Sequence, residues 1–415
     1  MGNGNEPTLL ISGGGPVGLT LAALLAASPS ASACRVRIVE SGAPPRWDPA
    51  RTDLRVYALS RASQRIFEDL GVWPAIVGAR ACPYERMRVW EGAEPAGSAA
   101  VAFDSADVGE PDLGHIVEDA LIKDVLTKHL AAAAGVGVAT RNVVESIEPG
   151  AGGMHVVLRD GERVCASLVV AADGGASKVR EMLGLASIGR RYAQQAIVAH
   201  VVTERPHERT AWQRFLPGGP VALLPLADGR SSVVWSLPDG RAGELMRASD
   251  DVFLEALGDA TAGALGRLGP VSERARFPLQ MLHALRYCCS RGVLAGDAAH
   301  VVHPLAGQGM NLGLADALCL ACEIDEAMRS GRDPGDMRVL RRYERRRKKE
   351  NVQMLLALDA LHHLFRLPEA AAPLRAAGLA AVDRAVPVKR FLMRQALGLG
   401  GRCERARGAG GHAAA

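Results

Sequence analysis

Three clusters of residues in this chain have the types and spacing to hold a nucleotide cofactor. The first is GGGPVG, in which Gly13, Gly15 and Gly18 form G-x-G-x-x-G around Pro16. In such a turn the first glycine allows the sharp bend, the second lets backbone approach a pyrophosphate, and the third lets helix pack on strand. Glu40 lies 22 residues beyond Gly18, placed to accept hydrogen bonds from an adenosine ribose. An acid there disfavours a 2′-phosphate, so FAD or NAD suits the motif better than NADP. The second cluster is Asp173 and Gly174, followed by Ser177 and Arg180. Alone it reads equally as an Asp-Gly turn capping a helix. The third runs Gly296, Asp297, Ala298, Ala299, His300, His303, Pro304, Gly307, Gln308, Gly309, Met310, Asn311. Here Asp297 can bind a ribityl or ribose hydroxyl, and the GQG turn lets amides at a helix head approach a flat ring. The partial positive charge of that helix end suits a ring that becomes anionic on reduction, which favours flavin over nicotinamide. His300 and His303, three apart with no further His or Cys nearby, make a poor metal site, and no metal is expected.

The elements that must position these residues follow from apolar patterning. Residues 8–12 predict a strand, 19–27 a helix and 36–39 a second strand ending at Glu40, a βαβ unit. A helix is expected over 61–70, a strand over 87–90, a helix over 120–134, and strands over 156–158 and 168–171. Residues 196–202, 211–215, 221–224 and 232–235 predict short strands of an antiparallel sheet with no helix between them. An α/β signal returns at 293–295, a helix follows Gly309, and almost everything from 334 to 397 reads as helix.

The chain has 415 residues, 48% apolar and 23% charged, enough for two to three domains and incompatible with disorder as a whole. A net charge of +4 over this length gives no argument for a nucleic-acid partner. Eight cysteines form no disulfide framework, and the start lacks a secretory signal, so a cytoplasmic home is expected. Cys319 and Cys322 form C-x-x-C inside a predicted helix, where apolar packing is the simpler reading. No apolar run reaches the roughly 20 residues of a membrane span, so any membrane contact would be peripheral. Residues 338–349 hold eight basic side chains and one acidic, either a solvated helical face or a surface for anionic lipid or an acidic partner.

GGGPVG, ADGGASKVR and GDAAHVVHPLAGQGMNLG resemble, in order and spacing, the three fingerprints of flavin-dependent aromatic hydroxylases with the para-hydroxybenzoate hydroxylase fold. DLRVYALSRASQRIFEDLGVW, LGHIVEDALIKDVL, YAQQAIVAHV, HERTAWQRFLPGGPVALLPL, RRYERRRKKEN and KRFLMRQALGLGG are similar to the branch that hydroxylates polyprenyl phenols in ubiquinone biosynthesis. The resemblance spans about residues 8 to 401. It implies that Gly13, Gly15, Gly18 and Glu40 hold the ADP half of FAD. It further implies that Arg55 contacts the cofactor, that Asp297 binds the ribityl-pyrophosphate region, and that Gly307, Gln308, Gly309, Met310 and Asn311 face the isoalloxazine. Asp173 and Gly174 match a motif tied to both FAD and reduced nicotinamide, and Pro304 a loop proline bordering the flavin. Relatives carry Asn where this chain has Asp119, which leaves that residue's role open. No segment of the flavin-halogenase tryptophan type is present, and the five Trp are scattered.

The expected fold is therefore α/β. It has a Rossmann-like FAD-binding domain in three stretches (1–78, 103–185, 280–335) and a mixed β-sheet substrate domain inserted at 79–102 and 186–279. C-terminal helices (336–398) and a disordered tail (399–415) complete it. The resemblance implies a monooxygenase that uses NADH or NADPH and O2, through a flavin C4a-hydroperoxide, to hydroxylate a polyprenyl phenol. It also implies peripheral contact with the inner membrane and with ubiquinone-biosynthesis partner proteins. The cofactor performs the chemistry in this class, so no catalytic base is assigned; His300, His303 and Pro304 are the candidates. The competing expectations are an FAD-bearing, lipid-holding accessory subunit and a flavin reductase that consumes no oxygen.

Overall fold

The computed structural model describes residues 7–44, 46–92, 94, 100–303, 307–365 and 367–399. Its organising element is a six-stranded sheet in the order Cys288–Cys289, Gly292–Leu294, Leu168–Ala171, Thr8–Ser12, Arg35–Glu40, Val136–Thr140. Every pair is parallel except the first. Leu168–Ala171 is buried throughout, as continuous apolar runs are when helices cover both faces of a parallel sheet. The helices Pro16–Ala26, Asp119–Ala131 and Gln308–Arg329 pack together over it. Two three-stranded sheets flank this layer: Val56–Leu59, Gly114–Glu118 and Ala81–Tyr84 in one, Val144–Gly150, Gly153–Leu158 and Arg163–Ala166 in the other.

The second body is a nine-stranded sheet. Along it lie His300–Val301, Ala275–Ala284, Ser187–Thr203, Ser231–Pro238, Val221–Pro225, Thr210–Phe215, Arg86–Glu91 and Ala100–Asp104, with Leu268–Val271 paired to Ser187–Thr203 at the side. The sheet is mixed, as expected, because Thr210–Phe215 runs parallel to Arg86–Glu91 while its other neighbours are antiparallel. Val221, Leu223, Val233 and Trp235 on one face bury against Phe253 and Leu257. Both lie on the helix Asp250–Ala260, which with Asp239–Arg247 before it the sequence reading did not anticipate. Ser187–Thr203 is a single 17-residue strand, longer than the expected 196–202. It carries a bulge where its register with Ala275–Ala284 shifts between Arg191 and Gln195, and Ala193 there has φ +53°. Ala275–Ala284 runs across the expected junction at 279/280, and His300–Val301 adds to its edge, so the two bodies share strands. The C-terminal helices are Met337–Leu364, Ala372–Arg384 and Val386–Ala396; residues 400–415 lie outside the described residues.

Candidate active site

The strand Thr8–Ser12 delivers Gly13 at φ +112°, with its N–H donated to Val39 O at 2.8 Å. A Cβ at Gly13 would stand 2.2 Å from Ala172 O, and one at Gly18 would stand 2.0 Å from Gly13 O. Those two glycines are forced by close backbone approach within the protein. Gly15 differs, since an added Cβ would meet nothing within 4 Å. It also begins the helix Pro16–Ala26 with no side-chain cap, so the first amides are open to an anion. Glu40 closes the turn from the next strand: Oε2 accepts from Gly14 N at 2.6 Å, and Oε1 from Gly42 N at 2.7 Å.

The other two motifs lock onto this turn. Asp173 accepts from Ser177 Oγ and from Val179 N, so its carboxylate caps the helix Lys178–Met182. Arg180, buried, donates to Gly175 O at 3.1 Å and to Ala298 O at 2.9 Å, tying the second motif to the third. Val17 fills the remaining gap, where a Cβ at Gly313 would come within 2.7 Å and one at Gly296, whose φ is +61°, within 3.2 Å.

Between these turns Asp297 keeps an exposed carboxylate with no hydrogen-bond partner among the described residues. Desolvation by the surrounding protein pushes its pKa up, against the pull of His300 and Arg55. Arg55, also exposed, lies over the Tyr57 ring at 5.5 Å. Burial lowers its pKa, but Tyr57, Asp119, Asp297 and Asp53 outweigh that and hold it above the ordinary value. Asp119 has a clear structural place: it accepts from Tyr57 Oη at 3.0 Å, pairs with Lys123 at 2.6 Å, and donates its backbone N–H to Arg55 O. It fixes the segment that carries Arg55.

The GQG turn begins the helix Gln308–Arg329 from Gly307 at φ +60°, again without a side-chain cap. Among the described residues a Cβ at Gly309 would touch only Val302, at 3.8 Å. Gln308 is half-buried there. The side chains that follow do not face this space. Met310 packs into the main core. Asn311 is buried and fully used: Oδ1 accepts from Ser60 N and Ser63 Oγ, and Nδ2 donates to Ala58 O. The expectation that residues 307–311 all face the ring therefore narrows to the backbone of the first three.

The two histidines are also corrected. His300 Nε2 lies 2.6 Å from Asp316 Oδ2, and Asp316 Oδ1 accepts from Arg347 Nε at 2.7 Å and Asn351 Nδ2 at 3.1 Å, all in the buried core. His303 is buried with its ring against Tyr192 and His362, at centroid distances of 4.9 and 4.7 Å. Burial, with His362 beside it, pushes its pKa down to about 3, so it is neutral at physiological pH. Pro304 lies outside the described residues. Among the described residues no group of three or more His, Cys, Asp or Glu could hold a metal ion.

An open glycine turn, two uncapped helix heads, a fixed Glu40 carboxylate and an unpartnered Asp297 beside Arg55 together fit a ligand with phosphates, sugar hydroxyls and a flat ring. The family described as FAD binding domain covers residues 6–356. Ubiquinone biosynthesis monooxygenase COQ6 of Danio rerio is 34% identical over 93% of this chain and 88% of its own length. Ubiquinone hydroxylase UbiL of Rhodospirillum rubrum is 36% identical, over 94% and 89%. The 3-demethoxyubiquinol 3-hydroxylase of Escherichia coli is 35% identical, over 95% and 100%. This chain belongs to the FAD-dependent hydroxylases of ubiquinone biosynthesis. Among solved structures, p-nitrophenol 4-monooxygenase PnpA from Pseudomonas putida has a TM-score of 0.76 at 20% identity, covering 95% of this chain and 99% of that one. PqsL from Pseudomonas aeruginosa has 0.73 at 24%, covering 90% and 99%. Both are similar in fold, which is the α/β FAD-binding architecture expected from the sequence.

In this hydroxylase the basic run is half structural. Arg347 is committed to Asp316, Arg342 and Arg346 pair with Glu323 at 2.9 and 2.5 Å, and Lys348 donates to Leu285 O. Arg338, Arg341, Arg345 and Lys349 remain exposed, without an ion-pair partner among the described residues. Their spacing puts them on one stripe of the helix Met337–Leu364, which continues to Leu356, 60% exposed. No helix among the described residues is long and apolar enough to cross a membrane. The residues missed from sequence were Tyr57, Asp316 and Arg347, whose roles depend on partners far along the chain.

Proposed function

We propose that this FAD-dependent monooxygenase hydroxylates the ring of a polyprenyl phenol on the route to ubiquinone. The net reaction joins one atom of O2 to a ring carbon and reduces the other to water, with NADH or NADPH as the two-electron donor. When bound, FAD supplies both the hydride acceptor and the oxygen-activating centre. The chain's own residues bind and orient. The Gly15 turn and the head of Pro16–Ala26 would receive the pyrophosphate, Glu40 the adenosine ribose, Asp297 the ribityl side, and the backbone at Gly307, Gln308 and Gly309 the ring edge. Asp173 and Arg180 hold that geometry from behind.

The observation that carries the cofactor assignment is the Asp297 carboxylate, without a hydrogen-bond partner among the described residues and coupled to Arg55 where the three glycine motifs meet. The prenyl-phenol assignment draws support from the named relatives. An apolar wall for the prenyl tail is partly present. In GPVALLPL, Val221 and Leu223 turn to the far helices, while Ala222 and Leu224 share the face toward the FAD domain, where Leu224 and Leu226 cluster with Val56 and Ala58. A prenyl lipid does not diffuse freely in water, so substrate would come from a bilayer surface or from partner proteins. We assign bilayer contact to the Arg338, Arg341, Arg345 and Lys349 stripe. The deciding experiment is a strain lacking this protein, grown with oxygen. It should be short of ubiquinone and accumulate a prenylated phenol missing one ring hydroxyl. Normal ubiquinone, with no redundant hydroxylase present, would overturn the proposal.

A further inference from the structure

Residues 47–55 bring Arg55 up to Asp297, and the hydrogen bonds along this segment show what holds it. Asp53 Oδ1 accepts from Arg55 N at 3.0 Å and its Oδ2 from Ala120 N at 3.0 Å, while Asp53 N donates to Glu118 Oε2 at 2.7 Å. Asp53 therefore anchors the segment to the FAD domain. One residue earlier, Thr52 Oγ1 accepts from two guanidiniums, Arg80 Nη1 and Arg230 Nη2, each at 2.7 Å. Arg80 ends the helix Trp73–Arg80, donates also to Pro49 O at 2.7 Å, and pairs with Glu118 at 3.2 Å. Arg230 comes from the other body, in the turn that joins Val221–Pro225 to Ser231–Pro238 in the large sheet.

A hydroxyl has two acceptor lone pairs, and here one goes to each body. Two cations meeting at one oxygen repel, and each carries its own carboxylate to offset that. Glu118 serves Arg80. Asp228 serves Arg230, accepting from its Nε at 2.9 Å and Nη2 at 2.6 Å through Oδ2, and from its backbone N at 3.1 Å through Oδ1. Held this way, the Arg230 side chain has given up most of its rotamer freedom before it reaches Thr52. A half-exposed ion pair adds little to stability, so the yield of this arrangement is position. A second tie, Arg51 to Glu273 at 3.7 Å, is exposed on both sides and adds little. His200, on the strand beside this turn, is coupled to Arg230 and Asp53, but burial, with Arg230 acting in the same direction, lowers its pKa to about 4. At neutral pH it brings no second cation to the junction.

We infer that Arg230 is a positioning residue: reaching from the large sheet to Thr52, it sets where Arg55 meets the FAD, and so holds the hairpin that carries Ala222 and Leu224 in register with the cofactor. The inference rests on the placement of FAD beside Asp297 and Arg55.

The test reads the Kd for FAD from flavin fluorescence during reconstitution, together with the visible spectrum of the bound flavin. Arg230→Leu should weaken FAD by roughly three- to thirtyfold and shift that spectrum. Thr52→Val, which exchanges only the hydroxyl for a methyl, should do the same, while Thr52→Ser should stay within about twofold of wild type. The deciding protein combines Arg230→Leu with Arg55→Leu, or Thr52→Val with Arg55→Leu should Arg230→Leu not fold. If Arg230 acts through Arg55, the double variant binds FAD no worse than Arg55→Leu alone, whereas a general loss of stability multiplies the two effects. Multiplied effects overturn the inference, and so does wild-type FAD affinity in either Arg230→Leu or Thr52→Val. If Arg55→Leu itself binds FAD as wild type does, the placement of the cofactor beside Arg55 fails, and this inference with it.

Discussion

Asp316 Oδ2 lies 2.6 Å from His300 Nε2 while its Oδ1 receives Arg347 Nε at 2.7 Å, so one fully buried carboxylate joins the third cofactor motif to the C-terminal helix. Gly296 N also donates to it at 3.0 Å, which fixes the turn presenting Asp297. Asp316→Asn would take from buried Arg347 its fully buried carboxylate partner, leaving only the half-exposed Glu350, and would remove the charge facing His300. The expected loss is about 3–5 kcal/mol of stability, read by denaturant unfolding, together with reduced FAD content. A variant as stable as wild type would show that this network is not what secures the helix.

The same carboxylate gives a pH dependence. Burial would push Asp316 up, yet His300 and Arg347 outweigh it and hold its pKa at about 2, against an ordinary 3.8. A depressed carboxylate stabilises the fold above its unfolded value and ceases to do so as pH falls through its folded value. The stability gap between wild type and Asp316→Asn should therefore be constant above about pH 5 and shrink between about pH 4 and pH 2. Acid titration of the unfolding midpoint in both proteins measures it, and a gap that widens in that range would reverse the sign.

How much of this was legible in the sequence depends on how local the cause was. Gly13 and Gly18 could be read because close backbone approach excludes any side chain, a constraint that marks the sequence directly. Asn311 could not, since its burial depends on Ser60, Ser63 and Ala58, about 250 residues earlier. The basic run was half misread for the same reason. Its partners, Asp316 and Glu323, sit seven residues apart on the helix Gln308–Arg329, two turns along one stripe. Two acids at that spacing, both buried on a helix whose other acids are Asp325 and Glu326 at its end, were the available signal. The helices Asp239–Arg247 and Asp250–Ala260 were lost among strand signals, although Ser249 followed by two Asp is a helix start, and Ser249 does cap Val252 N.

Glu40→Ala should weaken FAD. The carboxylate fixes Gly14 and Gly42 through charge-assisted hydrogen bonds and is the group proposed to meet the adenosine ribose. Such bonds contribute on the order of 1.5–3 kcal/mol, roughly a ten- to hundredfold rise in Kd for FAD, measured by flavin fluorescence during reconstitution. Unchanged affinity would move the ribose elsewhere.

Gly309→Val should leave the fold largely intact, because among the described residues the added Cβ meets only Val302 at 3.8 Å, an ordinary contact. The space it enters is the one assigned to the flavin ring edge. Expected is uncoupling: nicotinamide is oxidised and hydrogen peroxide forms with little hydroxylated product. Asp297→Ala should instead lower FAD occupancy, since it deletes the unpartnered carboxylate and leaves the ring space untouched. Full coupled hydroxylation by Gly309→Val would remove the ring from this turn.

The exposed stripe gives the last prediction. Arg338, Arg341, Arg345 and Lys349 face solvent without internal partners, and Leu356 continues the same line. An anionic bilayer attracts each such cation by about 1 kcal/mol near its surface, while Leu356 adds apolar area that can enter the headgroup region. The protein should therefore cosediment with phosphatidylglycerol-containing vesicles, bind pure phosphatidylcholine weakly, and detach as salt rises. Arg345→Glu with Lys349→Glu should reduce anionic-vesicle binding at least tenfold, while Arg342→Gln, which removes a charge paired with Glu323, should change it little. Turnover of a short, water-soluble prenyl phenol should not differ between wild type and the double variant, because both residues are exposed and neither is among those proposed to hold the cofactor. Equal vesicle binding by the double variant would refute this docking surface, and binding to an acidic partner protein but not to vesicles would reassign it.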